Sequence, residues 1–143
     1  MRTMRVRLSR VAVVFGICLP LAVFCKSQDR FESGKYKGFT KYSALAIVEL
    51  REPFIVREAK GIIQYPNGNG FLPNVLVEIR NSSGTIKATK TDSQGRFKFR
   101  GLREGTYMLK TTLSGFQSVV GTVLLQKNAK KSEEIKIEMP LGV

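Results

Sequence analysis

The sequence predicts an all-β sandwich between residues 59 and 140. Apolar and polar residues alternate there in about seven short runs, which is the pattern of strands with one buried face. Turn-forming residues separate these runs at intervals of about eight to twelve residues, as in sandwich domains. No extended stretch beyond residue 25 has the 3.6-residue period of an amphipathic helix.

The first two strands of the sandwich flank a glycine-rich turn. Gly61 would allow close packing or a bulge in the first strand, and residues 65–70 contain Asn-Gly pairs suited to positive φ. In the second strand, alternation makes Glu78 and Arg80 point outward. Ile62 and Ile63 belong to the first core strand, and Val75, Val77 and Ile79 share one face of the second.

A polar strand and a tight turn follow. Residues 86–91 are predicted to lie near a sheet edge, where Lys87 and Lys90 would discourage pairing with another chain. The next four residues fit a type I turn, with Asp92 at its first position and Gly95 at its fourth. We expect the Asp92 carboxylate to cap this turn, because a lone carboxylate is a poor metal ligand.

The remaining strands carry the aromatic part of the core. One begins after the tight turn, one at Gly105, one at Ser118 and the last near Ile135, after a basic hairpin loop. Their predicted inward residues are Phe97, Phe99, Tyr107, Leu109, Thr111, Leu113, Val119, Val123, Leu125, Ile135, Ile137 and Met139.

Residues 26–58 are predicted to be a polar leader with two possible short strands. Residues 26–41 have no clear period, which favours a weakly ordered linker over a peptide arm docked on the domain. Residues 43–50 suit either a short helix or a buried strand. Pro53 ends that run, and a strand-like pattern resumes at Phe54, so two strands flanking Pro53 are favoured.

Residues 1–25 have the layout of a secretory signal peptide. Four arginines precede an apolar run, residues 11–24, that is shorter than the roughly 20 residues of a membrane span. Small residues favour cleavage after Cys25 or after Ser27. A lipoprotein acylated at Cys25 is less favoured, because Phe24 stands where a small residue is expected, and an uncleaved anchor is the other alternative. We therefore expect a secreted, periplasmic or cell-envelope protein.

The amino-acid composition excludes several kinds of catalytic and metal-binding site. The chain has no histidine, which excludes His-based catalytic triads and His-based zinc sites. Cys18 and Cys25 lie in or at the edge of the signal, so we expect no disulfide within the mature domain and no cofactor. Cleavage would leave twenty Lys and Arg against eleven acids, a net charge near +9. Export argues against a nucleic acid as the partner of this basic chain.

A set of short motifs resembles the carboxypeptidase regulatory-like domain family. After Gly61 come Leu-Pro-Asn-Val at 72–75, Thr-Asp-Ser-Gln-Gly-Arg-Phe at 91–97, Gly-Thr-Tyr at 105–107 and Gly-Phe at 115–116. Asn74 stands where the family usually has Gly, and Asn also tolerates turn geometry. The motif residues are Gly61, Pro73, Asp92, Gly95, Phe97, Gly105, Tyr107, Gly115 and Phe116.

The resemblance implies a seven-stranded Greek-key sandwich of immunoglobulin-like or transthyretin-like type. It also implies an accessory or binding module of secreted and envelope proteins, since the family's name-giving enzyme keeps its zinc in another domain. Related adhesin domains form an isopeptide bond from a lysine at the position of Lys60, but the last strand here offers neither Asn nor Asp. Accordingly, no catalytic, metal or cofactor residue is predicted.

The candidate binding surface is basic. Arg96, Lys98 and Arg100 share one outward face, and Lys110 could join them if its strand pairs with theirs. The candidate basic surface thus comprises Arg96, Lys98, Arg100, Arg103 and Lys110. The loops at residues 67–71 and 81–85 are further candidates, and Asn81 begins a glycosylation sequon that also suits a plain turn.

Three functions fit these features. The favoured one is a non-enzymatic envelope module that binds a protein or glycan. The alternative is a basic protein held by charge on anionic envelope lipids or polysaccharides, so contact with a membrane surface is possible. A hydrolase of transthyretin-like fold is least favoured, because that class relies on histidine.

Export is the first testable expectation. Mass spectrometry of the native protein should find an N-terminus at Lys26 or Gln28, because the signal peptide is expected to be removed. An intact Met1 on protein recovered from the cytosol would contradict the assignment.

Overall fold

The computed structural model describes residues 29–41, 46–130 and 134–142. The predicted signal peptide and both candidate cleavage positions lie outside these ranges. Within them the chain is all-β apart from one short 3₁₀ turn, Pro66–Gly68. The strands are β1 Ile47–Glu49, β2 Phe54–Val56, β3 Lys60–Gln64, β4 Leu76–Arg80, β5 Ile86–Lys90, β6 Arg96–Lys98, β7 Gly105–Thr112, β8 Ser118–Leu125 and β9 Ile135–Glu138.

The strands form two sheets. The large sheet has the order β1-β8-β7-β4-β5, with β2 also paired to β8, and the small sheet has the order β6-β3-β9. Strands β1 and β2 run parallel to β8, and β3 runs parallel to β9, whereas the other pairs are antiparallel. The predicted all-β sandwich is therefore confirmed, and β1 and β2, on either side of Pro53, extend the large sheet.

The core lies between the two sheets and follows the predicted alternation. Phe97 and Phe99 pack edge to face, with ring centroids 6.1 Å apart, and both are buried. Side chains from all strands except β1 and β5 are buried in this layer. Burial of this apolar surface is the main source of stability in a domain of this kind. The buried set includes Val56, Ile63, Leu72, Val75, Val77, Ile79, Tyr107, Leu109, Val119, Val123, Leu125, Ile135, Ile137 and Met139.

The tight turn before β6 has the structure that the sequence predicts. One oxygen of the Asp92 carboxylate accepts hydrogen bonds from the N–H groups of Gln94 and Arg96, at 2.9 Å each. Gly95 has φ +69° and donates its N–H to the Asp92 carbonyl. A side chain at Gly95 would place Cβ 2.3 Å from the carbonyl oxygen of Ile63. Asp92 and Gly95 therefore set the turn against β3.

Gly61 brings β3 against β9. A Cβ atom at this position would lie 2.0 Å from the carbonyl oxygen of Ile135, which is closer than any real contact of this kind. Gly61 is paired with Ile135 in the parallel ladder of the small sheet and with Phe97 on the other side. The close packing predicted for Gly61 thus holds the central strand of the small sheet between its two neighbours.

Residues 29–41, here called the strap, fold back on themselves and lie on the outward face of the large sheet. The N–H of Phe31 donates to the carbonyl of Phe39, at 3.0 Å, and the N–H of Lys41 donates to the carbonyl of Asp29, at 2.6 Å. Phe39 is fully buried although it lies outside the sandwich. The linker interpretation is wrong for these residues, because they dock on the domain as an arm.

In the ranges given above, the structure contains no helix with the length and apolar character required to cross a membrane.

The contact at Gly61 is directly testable. Replacing Gly61 by Ala should lower the free energy of unfolding by at least about 2 kcal/mol, because the new methyl group must push β9 away. Urea unfolding followed by circular dichroism measures this loss.

Gly121→Ala is the matched control for Gly61→Ala. Gly121 also lies in a strand, but its added Cβ would meet the side chains of Leu50 and Phe54 at 3.4 Å, an ordinary contact distance. Equal losses in the two variants would contradict the role assigned to Gly61.

Candidate functional site

The cations of β6 lie on the outward face of the small sheet. Arg96 and Lys98 are exposed because Phe97 between them points into the core, and Arg100 is exposed just beyond the end of the strand. The structure therefore places these three predicted residues on one side of the molecule.

An open groove lies at the end of the sandwich where β2, β6 and β8 end, and it is called the basic groove below. Its volume is about 480 Å³. Four cationic side chains and one carboxylate line it, over a floor of four apolar side chains. The cations are Arg57, Lys98, Arg100 and Lys127, the carboxylate is Glu58, and the floor is Ala59, Phe99, Leu102 and Leu125.

Backbone hydrogen bonds fix the walls of the basic groove. The N–H of Phe99 donates to the carbonyl of Ala59, at 2.8 Å, which joins the end of β6 to the start of β3. The Arg57 guanidinium donates through Nε to the carbonyl of Ala129, at 2.6 Å, and through Nη2 to that of Lys130, at 3.1 Å. Arg57 therefore enters the groove wall as a pre-oriented cation, while Phe99 keeps the floor attached to the core.

Glu58 is shared by two lysines at the rim. Its carboxylate lies 2.8 Å from the Lys60 ammonium and 3.8 Å from the Lys98 ammonium, and all three side chains are about half exposed. The hydrogen bond from Lys60, followed by its charge, lowers the pKa of Glu58, and the hydrogen bond to Glu58 raises the pKa of Lys60. One carboxylate thus faces several cations, so the basic groove keeps an excess of positive charge.

Arg103 and Lys110 do not belong to this groove. Arg103 is exposed in the loop between β6 and β7, where its carbonyl accepts a hydrogen bond from the Tyr107 hydroxyl, at 2.7 Å. The expectation that Lys110 joins the β6 cations is wrong, because β7 pairs with β4 and β8 in the large sheet. Its outward face is the opposite side of the sandwich, and Lys110 is only 1% exposed there.

Lys110 is buried beneath the strap. Its ammonium donates to the Thr40 carbonyl, at 2.8 Å, and to the Thr112 hydroxyl, at 2.6 Å. Burial lowers the pKa of Lys110, against the opposing effect of the Glu78 carboxylate on the neighbouring strand. Lys110 is therefore a structural contact of the strap.

The predicted loop sites lie elsewhere. In residues 81–85, the Asn81 side-chain oxygen accepts from the Ser83 hydroxyl and the Thr85 N–H, at 2.9 and 2.8 Å, which closes the turn. This loop borders a second open groove beside Lys37 and Arg80 of the strap contact. Residues 67–71 follow the far end of β3. The structure therefore does not bring either loop into the basic groove.

No metal site is evident in the described ranges, which contain no cluster of three or more His, Cys, Asp or Glu side chains. Asp92 uses its carboxylate to cap its own turn.

Sequence reasoning missed Arg57 and Lys127 as groove residues. Each lies just after a strand of the large sheet, and about seventy positions separate them along the chain. Only the parallel pairing of β2 with β8 brings these two strand ends together. A basic residue just after each of two paired strands is a weak signal, since surface cations are common.

Comparison with known protein families matches residues 59–139 to the model described as the carboxypeptidase regulatory-like domain. No match was found among curated proteins. The matched range contains strands β3 to β9, whereas the strap, β1 and β2 precede it.

The burial of Lys110 predicts a pH dependence of stability. The folded chain releases this proton at a lower pH than the unfolded chain, whose lysine pKa is near 10.5. Between these two pKa values the unfolded chain binds more protons than the folded chain. The contribution of Lys110 to the free energy of unfolding therefore increases as the pH rises.

Wild type and Lys110→Met should be compared by urea unfolding at neutral pH and at increasing pH up to 10.5. We expect the stability difference to shift in favour of wild type as the pH rises. Lys41→Met, at an exposed position, corrects for the loss of one positive charge. A difference that stays constant or shifts the other way would show that the Lys110 ammonium is not penalised by burial.

Proposed function

The chain belongs to the carboxypeptidase regulatory-like domain family, and on this premise we propose that it is a secreted or cell-envelope binding module without catalytic activity. Its ligand is an acidic glycan held in the basic groove. The observation that carries the proposal is the set of four cations, against one carboxylate, around an apolar floor.

The shape and chemistry of the basic groove suit a sugar chain. The groove is open to solvent, so part of a polymer can lie in it. The half-buried side chain of Leu102, beside the buried ring of Phe99, offers an apolar surface to the C–H face of a sugar ring. The guanidinium group of Arg100 can bind a carboxylate through two parallel hydrogen bonds. Acidic sugars carry both a C–H face and a carboxylate in one repeating unit.

Binding without catalysis is supported by the family and by the composition. In the enzyme that gives the family its name, this domain accompanies a separate catalytic domain. The chain has no histidine, which is the side chain most often used for proton transfer near neutral pH. The cations of the basic groove can hold an anion, and Glu58 is engaged with two lysines.

A second candidate function is association with anionic lipid headgroups. The net charge of the full sequence, +13, favours it. A purely electrostatic association would involve the whole basic surface and would weaken steeply with salt, since charges in about 0.5 M salt are screened within a few ångströms. Binding in a groove with an apolar floor would lose less affinity in high salt than a purely electrostatic association.

Binding of polygalacturonate, an acidic polysaccharide, tests the proposal by isothermal titration calorimetry. Arg100→Glu and Lys127→Glu should each weaken binding by about tenfold, because each change removes a charge-assisted contact and adds a repulsive one. Some binding should remain in about 0.5 M salt.

Lys41→Glu is the matched control, since it changes the net charge as Lys127→Glu does but lies in the strap. We expect it to bind like wild type. Equal weakening in all three variants, or binding to anionic lipid vesicles alone, would exclude the basic groove as the specific site.

A further inference from the structure

On the outward face of the large sheet, three charged side chains hold the folded strap. They are Glu78, Arg80 and Lys110, and together they are called the receptor below. Glu78 on β4 and Lys110 on β7 are directly paired across the two strands. Both side chains point away from the core and both are 1% exposed. Thr40 of the strap lies between them.

Glu78 and Lys110 together bind one residue of the strap, Thr40. The carboxylate of Glu78 accepts from the N–H of Thr40, at 3.0 and 3.2 Å, and from its hydroxyl, at 2.9 Å. The ammonium of Lys110 donates to the carbonyl of the same residue, at 2.8 Å. An acid and a base on neighbouring strands thus bind the donor and the acceptor of a single residue.

Arg80 recognises the neighbouring part of the strap. Its guanidinium lies over the ring of Phe39, with the central carbon 4.9 Å from the ring centroid. The same guanidinium donates to the carbonyl groups of Lys35, at 2.7 Å, and Lys37. The receptor thus contacts the aromatic ring of Phe39 and the hydroxyl group of the next residue, Thr40.

The strap is bound as a separate unit. The backbone hydrogen bonds of residues 29–41 join strap residues to each other, and none in the described part of the chain joins the strap to a sheet strand. The strap also lies outside residues 59–139, whereas Glu78, Arg80 and Lys110 lie inside that range. The receptor side chains are charged, so water can solvate them when the strap leaves.

We propose that this receptor exchanges the strap for the strap of a second copy of the chain. The strap of this chain is the segment that the structure shows to fit, and a second copy supplies the same segment. The intramolecular strap has a high effective concentration, so it competes with any strap offered from outside. Exchange becomes visible when the resident strap is weakened. This proposal is independent of the basic groove, which lies at the end of the sandwich.

The first test measures recognition. A fluorescent peptide of residues 29–41 is titrated with full-length wild type and with Phe39→Ala/Thr40→Pro, which loses the ring and the Thr40 N–H. Fluorescence anisotropy should show at least about tenfold tighter binding to the variant, because its receptor is more often open. Adding Glu78→Gln or Arg80→Ala to the variant should reverse the gain. Circular dichroism checks that each chain is folded.

A control peptide carrying the same two changes, Phe39→Ala and Thr40→Pro, should not bind to any of these chains. Equal binding of the native peptide to wild type and variant, or no binding to either, would overturn the proposed receptor.

The second test measures exchange between copies. One chain, Arg80→Ala/Glu78→Gln, has an intact strap and an impaired receptor. The other chain, Phe39→Ala/Thr40→Pro, has an impaired strap and an intact receptor. Analytical ultracentrifugation should find a heterodimer in the mixture that neither chain forms alone. A mixture that behaves as the sum of its two parts would overturn exchange between copies.

Discussion

Burial of one face of every strand between two sheets determines where the charges of this chain can lie. Alternation sends Phe97 inward and therefore sends Arg96 and Lys98 outward on the small sheet. The same rule sends Glu78 and Lys110 outward on the large sheet, on the other side of the sandwich. The two outward faces then differ: within the described ranges, the strap covers Glu78 and Lys110 on the large sheet, whereas Arg96 and Lys98 on the small sheet are exposed.

The covered face shows how a charged surface becomes part of the interior. Glu78 and Lys110 would be ordinary solvated residues on an open sheet, but the strap removes them from water. A buried charge is tolerated when its hydrogen bonds are satisfied, and Thr40 satisfies both groups through its backbone. No buried side-chain nitrogen or oxygen in the described ranges lacks a hydrogen-bond partner. The strap therefore supplies hydrogen-bond partners to the buried charged groups on this face.

At the open end of the sandwich, positive charge is concentrated because the ends of several strands lie close together. The strands that end there bring Arg57, Lys98, Arg100 and Lys127 around a small apolar floor. Glu58 offsets part of this charge and is itself shared by Lys60 and Lys98. Residues from three separate segments meet at this end because strand pairing places the segment ends together.

Local patterns in the sequence predicted the strands and their inward faces. Phe97, Phe99 and Tyr107 are buried as their alternation requires, and the carboxylate of Asp92 caps its own turn. These features depend on neighbours within a few residues.

The features that sequence reasoning missed depend on distant pairing. Alternation gives the side of a strand and not the sheet to which the strand belongs, so it does not separate Lys110 from the cations of β6. The docking of the strap depends on Glu78, Arg80 and Lys110, which are about forty to seventy positions away. Likewise, no local pattern relates Arg57 to Lys127.

Amide chemical-shift mapping of the isotopically labelled mature chain, titrated with polygalacturonate, locates the glycan site. If the glycan binds in the basic groove, the largest shifts will fall at residues 57–59, 98–102 and 125–127, which form that groove. Shifts confined to the strap and to residues 81–85, or spread evenly over all surface lysines, would contradict binding in the basic groove.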